Sequence, residues 1–91
     1  LTPEGAKGLR AGAVILKPRE IMDWHSTQQR EELIVVVTGR VVLELRSKTG
    51  HRGVVLLSTG HCVFLSARRW HRVMNRSKAT ARYLYVTAPA K

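Results

Sequence analysis

At 91 residues the chain makes one domain, near the lower end of what buries a self-sufficient core. Apolar residues make up 44% of it and gather in runs, which excludes a disordered chain, and no run approaches the ~20 residues of a membrane span. Sixteen Lys and Arg against six Asp and Glu leave a formal charge of +10, so an anionic partner of some kind is the first question the composition raises.

Residues 1–10, with Pro3, Gly5 and Gly8, read as an N-terminal arm, which leaves residues 11–91 as the domain. The opening Leu1-Thr2-Pro3-Glu4-Gly5 has neither the charged start nor the apolar stretch of a signal peptide. Val14-Ile15-Leu16 is a first strand, stopped by Pro18. Leu33-Ile34-Val35-Val36-Val37 is β-branched and too short for a helix, and Thr38-Gly39 turns the chain. Residues 40–46 alternate, with Val41, Leu43 and Leu45 on one face and Arg40, Glu44 and Arg46 on the other. Ser47-Lys48-Thr49-Gly50 is a hairpin turn. Further strands are expected over 54–57, 61–66, 70–75 and 82–87, parted by turns at 58–60 and 75–78.

Seven or eight short strands with regular turn signals and no strong helix predict an all-β sandwich or barrel. The 33–37 run is apolar on both faces, so its outer face needs a cover. In so small a domain the expected cover is a second copy, making a homodimer. The single Cys62 cannot close an internal disulfide, which fits a reducing cytoplasm.

The charge is uneven. Residues 1–44 hold six basic side chains and all six acids; residues 45–91 hold ten basic side chains and no acid. Arg68, Arg69, Arg72, Arg76, Lys78 and Arg82 bracket His71 and could hold a carboxylate or phosphate, or simply form a solvated surface. Alternation puts Arg72 on the face opposite His71. No helix-turn-helix and no aromatic-basic RNA-binding motif is visible, so a nucleic-acid partner rests on charge alone and is not expected.

The chemistry concentrates elsewhere. Glu32, Ile34 and Val36 share one face of the 33–37 strand, and His71, Val73 and Asn75 share one face of a later strand. If both faces point inward, a carboxylate and an imidazole meet in an apolar interior. Burying a carboxylate there is costly without a partner, and a divalent ion removes that cost. With His25, two imidazoles and one carboxylate make a facial ligand set with open coordination positions.

These residues resemble the cupin family. Its first motif is matched by His25-Ser26-Thr27, Glu32 and Gly39, and its second by Gly60, Ser66-Ala67-Arg68, His71 and Asn75, all at the family spacing. The resemblance covers roughly residues 12–87. It implies a small jelly-roll β-barrel with a metal site of His25, Glu32 and His71, taking Fe, Mn, Ni or Zn. It also implies a small-molecule ligand or substrate, and oxygenase or isomerase chemistry if the protein is an enzyme. The sequence makes two departures from the pattern, at Thr27 and at the Ser66/Arg68 pair. Thr27 stands where the family commonly has another histidine ligand, and Ser66 and Arg68 replace Pro and Gly at a turn. The first departure keeps a second reading open: a ligand-binding or sensor domain without catalysis.

The remaining candidates have plainer readings. His51 lies in a Gly-flanked turn and His61 follows Gly60, both expected to face solvent. Cys62 is expected to pack, and Asn75 to end a strand rather than to act on a substrate. Trp24, Phe64, Trp70, Tyr83 and Tyr85 are expected in the core or at an interface.

Overall fold

Apolar alternation organises the chain into eight strands in this computed structural model, which describes residues 8–90. In chain order they are β1 (Arg10–Leu16), β2 (Ile21–Ser26), β3 (Arg30–Thr38), β4 (Arg40–Arg46), β5 (Arg52–Ser58), β6 (Cys62–Leu65), β7 (Trp70–Met74) and β8 (Ala81–Pro89). Every pairing is antiparallel, in two four-stranded sheets ordered β1-β8-β3-β6 and β2-β7-β4-β5. The sheets pack face to face, with Ile34 and Val36 of the first buried in one cluster with Leu43 and Val73 of the second. This is the expected jelly-roll arrangement. Residues 1–7 of the predicted arm lie outside the described residues; Arg10 already pairs with Thr87 as the first residue of β1.

β2 is the strand that periodicity did not predict. Its register against β7 shifts between Met22 and His25, a bulge that breaks the two-residue period. Met22 opposite Val73 and His25 opposite His71 both face inward, although they are three positions apart.

Two turns hold the strands that matter. Gly39 (φ 88°) makes the tight β3–β4 turn beneath β8, where a Cβ would lie 3.0 Å from the Ala81 Cα and the Thr80 carbonyl oxygen. Asn75 behaves as a strand-end residue. Its amide donates to the Leu16 and Ala79 carbonyls (2.9 and 2.8 Å), and its Oδ1 accepts from the Ser77 N–H and hydroxyl (2.9 and 2.7 Å).

The outer faces differ. On β1-β8-β3-β6 the outward positions are mainly apolar and uncovered, with Ile15, Leu33, Val37, Phe64 and Leu84 all exposed. Cys62, expected to pack, is exposed on the same face because it opposes outward-facing Val35 on the edge strand β6. On β2-β7-β4-β5 the outward Glu44 is buried, which alternation alone did not predict. Arg72 binds it at 3.0 Å, Arg76 lies at 3.7 Å, and the Arg72 and Arg46 guanidinium groups sit 5.0 and 4.4 Å from the Trp24 ring. Of the five aromatic side chains, Tyr83 is in the core, while Phe64 and Trp70 are exposed.

Candidate functional site

His25, Glu32 and His71 line one cavity of about 500 Å³ between the two sheets. Register explains why. His25 on β2 opposes His71 on β7, and their rings stand 4.2 Å apart, centroid to centroid. Glu32 on β3 faces them from the other sheet, its Oε2 3.6 Å from the His71 Nε2. Val14, Met22 and Val73 give the cavity apolar walls.

Each imidazole is oriented from behind. The His71 Nδ1 lies 3.0 Å from the Arg69 carbonyl oxygen, and the His25 Nδ1 lies 2.8 Å from that of Asp23. A carbonyl can only accept, so in both rings Nδ1 carries the proton. In the neutral ring Nε2 then presents a lone pair, the tautomer used by a metal-binding histidine whose other nitrogen is anchored. The His71 Nε2 is fully buried and has no hydrogen-bond partner. A buried polar atom left without a partner is costly, so this one calls for a bound group.

The donors meet in pairs that share His71. Among the described residues no three His, Cys, Asp or Glu side chains are grouped closely enough to hold a metal ion. The donor chemistry fits a divalent cation; closing on one requires the Glu32 carboxylate and the His25 ring to turn toward His71.

Thr27, at the fourth family position, has a different task. Its hydroxyl donates to the Ser66 carbonyl (2.8 Å) and accepts from the Arg69 N–H (2.9 Å), while its own N–H donates to the Arg69 carbonyl (3.1 Å). The side chain is thereby committed to stitching the β2–β3 turn to the β6–β7 turn. In that second turn Arg68 adopts φ 59°, the left-handed conformation that suits the glycine it replaces.

Tyr83 and Tyr85 complete the cavity wall. Alternation along β8 puts both on its inner face with Ala81, a signal present in the sequence. Burial pushes the Tyr83 phenol well above its ordinary range, and the Glu32 carboxylate and then Tyr85 push the same way. Tyr83 thus remains a neutral phenol beside Glu32. Tyr85 lies across Gly12 on β1, where a Cβ would come within 2.3 Å of its hydroxyl.

The basic cluster around His71 disperses. Arg72 points outward to Glu44, as its alternation predicted, while Arg68 and Arg76 are exposed. His51 and His61 are exposed as expected.

The family model for the cupin domain matches residues 12–87. The chain belongs to the cupin family. This cupin has the same fold as an oxalate oxidase, with a TM-score of 0.85 at 14% identity over 90% of this chain and 42% of that one. It is similar to the CENP-C cupin domain of Drosophila melanogaster (TM-score 0.83, 14% identity, 96% of this chain and 62% of that one). It is also similar to Peruvianin-I, a cysteine peptidase from Thevetia peruviana latex (TM-score 0.83, 16% identity, 90% of this chain and 51% of that one). This chain therefore spans between 42% and 62% of the length of these proteins. No curated protein matches it in sequence. Among the described residues there is no helix long and apolar enough to cross a membrane.

Proposed function

We propose that this cupin binds a divalent metal ion through His71, Glu32 and His25 and presents it to a small organic molecule in the cavity. The observation that carries the reading is the buried, unpartnered Nε2 of His71, whose ring is held from behind by the Arg69 carbonyl. Imidazole and carboxylate donors suit Fe, Mn, Ni or Zn. A bound ion would supply Lewis acidity to a substrate oxygen or activate dioxygen, which is the metalloenzyme form of the reading. The chain's own groups would do the rest. Val14, Met22 and Val73 would exclude water, and the neutral Tyr83 phenol could donate a hydrogen bond to an oxygen of the bound molecule. Protein purified without chelator should contain one such metal, or bind added Fe(II), Mn(II), Ni(II) or Zn(II) with a rise in melting temperature. His71→Ala should abolish both. Protein that is metal-free and indifferent to all four ions would refute the proposal.

The second reading is a ligand-binding domain without metal or catalysis. It is favoured by the Thr27 hydroxyl, which is spent on Ser66 and Arg69, and by the pairwise rather than three-way meeting of the donors. Small-molecule binding that persists unchanged in chelator would select it.

We also propose that the cupin is a homodimer built on the outer face of β1-β8-β3-β6. Phe64 and Ile15 are 60% and 57% exposed there, and Leu33 and Leu84 lie between them. Continuous apolar surface of this kind marks an association site. A second copy is the fitting occupant, because this face lacks the arginine density of the opposite sheet and two positively charged chains can meet on it. Light scattering should give twice the chain mass, and Phe64→Asp should give a folded monomer.

A further inference from the structure

A second cavity, of about 430 Å³, lies at the far end of the sandwich from His71, where β4 begins and where β5 and β7 end. We infer that it is a separate binding site for a small organic carboxylate with an apolar body. This inference goes beyond the proposed function and does not depend on it. Its floor is apolar: Val42 and Leu56 oppose each other on the outer face, and Leu56 is 73% exposed. Its polar rim is dominated by two arginines. Arg40 and Arg76 line it together with His61, and Ser58 and Ser77 add hydroxyls.

His61 is set as a donor by its neighbours. The Ser58 N–H donates to the His61 Nδ1 at 3.0 Å. Nδ1 must therefore accept, which leaves the proton of the neutral ring on Nε2. Two guanidinium groups and an imidazole N–H at the edge of an apolar floor match a carboxylate joined to a hydrocarbon or aromatic group.

Two other arginines of this sheet face are already engaged. Arg72 binds Glu44, and Arg46 and Arg72 flank Trp24. Arg40 has no ion pair among the described residues, and Arg76 reaches Glu44 only at 3.7 Å. Arg40 and Arg76 therefore bring positive charge with little compensation to this cavity. Two cations beside an apolar floor suit a small anion with an apolar body better than a nucleic acid, which would need cations spaced to follow a phosphate backbone.

The test is an amide NMR titration of the intact chain with 2-naphthoate, in parallel with 2-naphthalenemethanol, inorganic phosphate and an oligothymidylate. The expected result is saturable 2-naphthoate shifts at residues 40–42, 56–61 and 76–77, with the alcohol and phosphate each at least about ten-fold weaker. The Arg40→Gln/Arg76→Gln double variant should lose at least about ten-fold in 2-naphthoate affinity. Leu56→Asp, which sets a carboxylate on the floor, should do the same. All three side chains are exposed, so the variants should keep the parent spectrum elsewhere. Four results would each overturn the inference: no saturation by about 10 mM, shifts centred on His25 and His71, unchanged affinity in the double variant, or tighter binding of the oligothymidylate on the same residues.

Discussion

Thr27 and Arg69 hold each other by two hydrogen bonds, and the Arg69 carbonyl that accepts from the Thr27 N–H also anchors the His71 ring. Thr27 is two residues from His25, and Arg69 is two residues from His71. The contact therefore sets the spacing of the two imidazoles from behind. A side chain that could have been a ligand has become part of the frame.

Thr27→Val keeps the shape and deletes both side-chain hydrogen bonds, leaving the Ser66 carbonyl and the Arg69 N–H without partners. The expected cost is about 2 kcal/mol, read as a lower urea midpoint with an unchanged slope. Thr27→Ser should retain most of the stability.

Tyr83 predicts alkaline sensitivity. Its folded-state phenol titrates above the unfolded one, so the native state keeps a proton that the unfolded chain releases near pH 10. The stabilisation is complete below that pH and falls by about 1.4 kcal/mol per pH unit above it, until the folded phenol itself ionises. Chemical unfolding between pH 9 and 11.5 should show this slope, and Tyr83→Phe should flatten it.

Arg68 sits at φ 59°, where a side chain costs roughly 1–2 kcal/mol that glycine does not. Glycine gives back part of this through its freer unfolded chain. Arg68→Gly should therefore stabilise by about 0.5 kcal/mol, whereas Arg68→Ala should not. Parallel denaturant melts of the two variants separate backbone strain from loss of the charge.

Gly12 lets Tyr85 lie across β1. Gly12→Ala should displace the ring and cost about 1–3 kcal/mol. In a Tyr85→Ala background the same substitution should cost almost nothing, and a double-mutant cycle measures the difference.

Much of the fold is legible in the residues themselves. β4 shows it best, with Val41, Leu43 and Leu45 sharing its inner face, and Gly39 marks a turn that admits no larger side chain. β2 escapes because its bulge between Met22 and His25 puts inward residues three apart, so the chain reads as irregular. Cys62 escapes because alternation says which residues share a face but not which face is inside.

The spacing of the two motifs was enough to select His25, Glu32 and His71 as residues that line one interior. Tertiary structure alone decided what stands beside them: Tyr83 against Glu32, the Arg69 carbonyl behind His71, and Thr27 tied to Ser66 instead of turned to an ion. It also decided that Glu44 is covered by arginines while Arg40 is left facing a cavity. Periodicity is a local property of one strand, so it can be read along the chain. Which charges neutralise one another depends on register between strands far apart in sequence, and that exists only once the two sheets have packed.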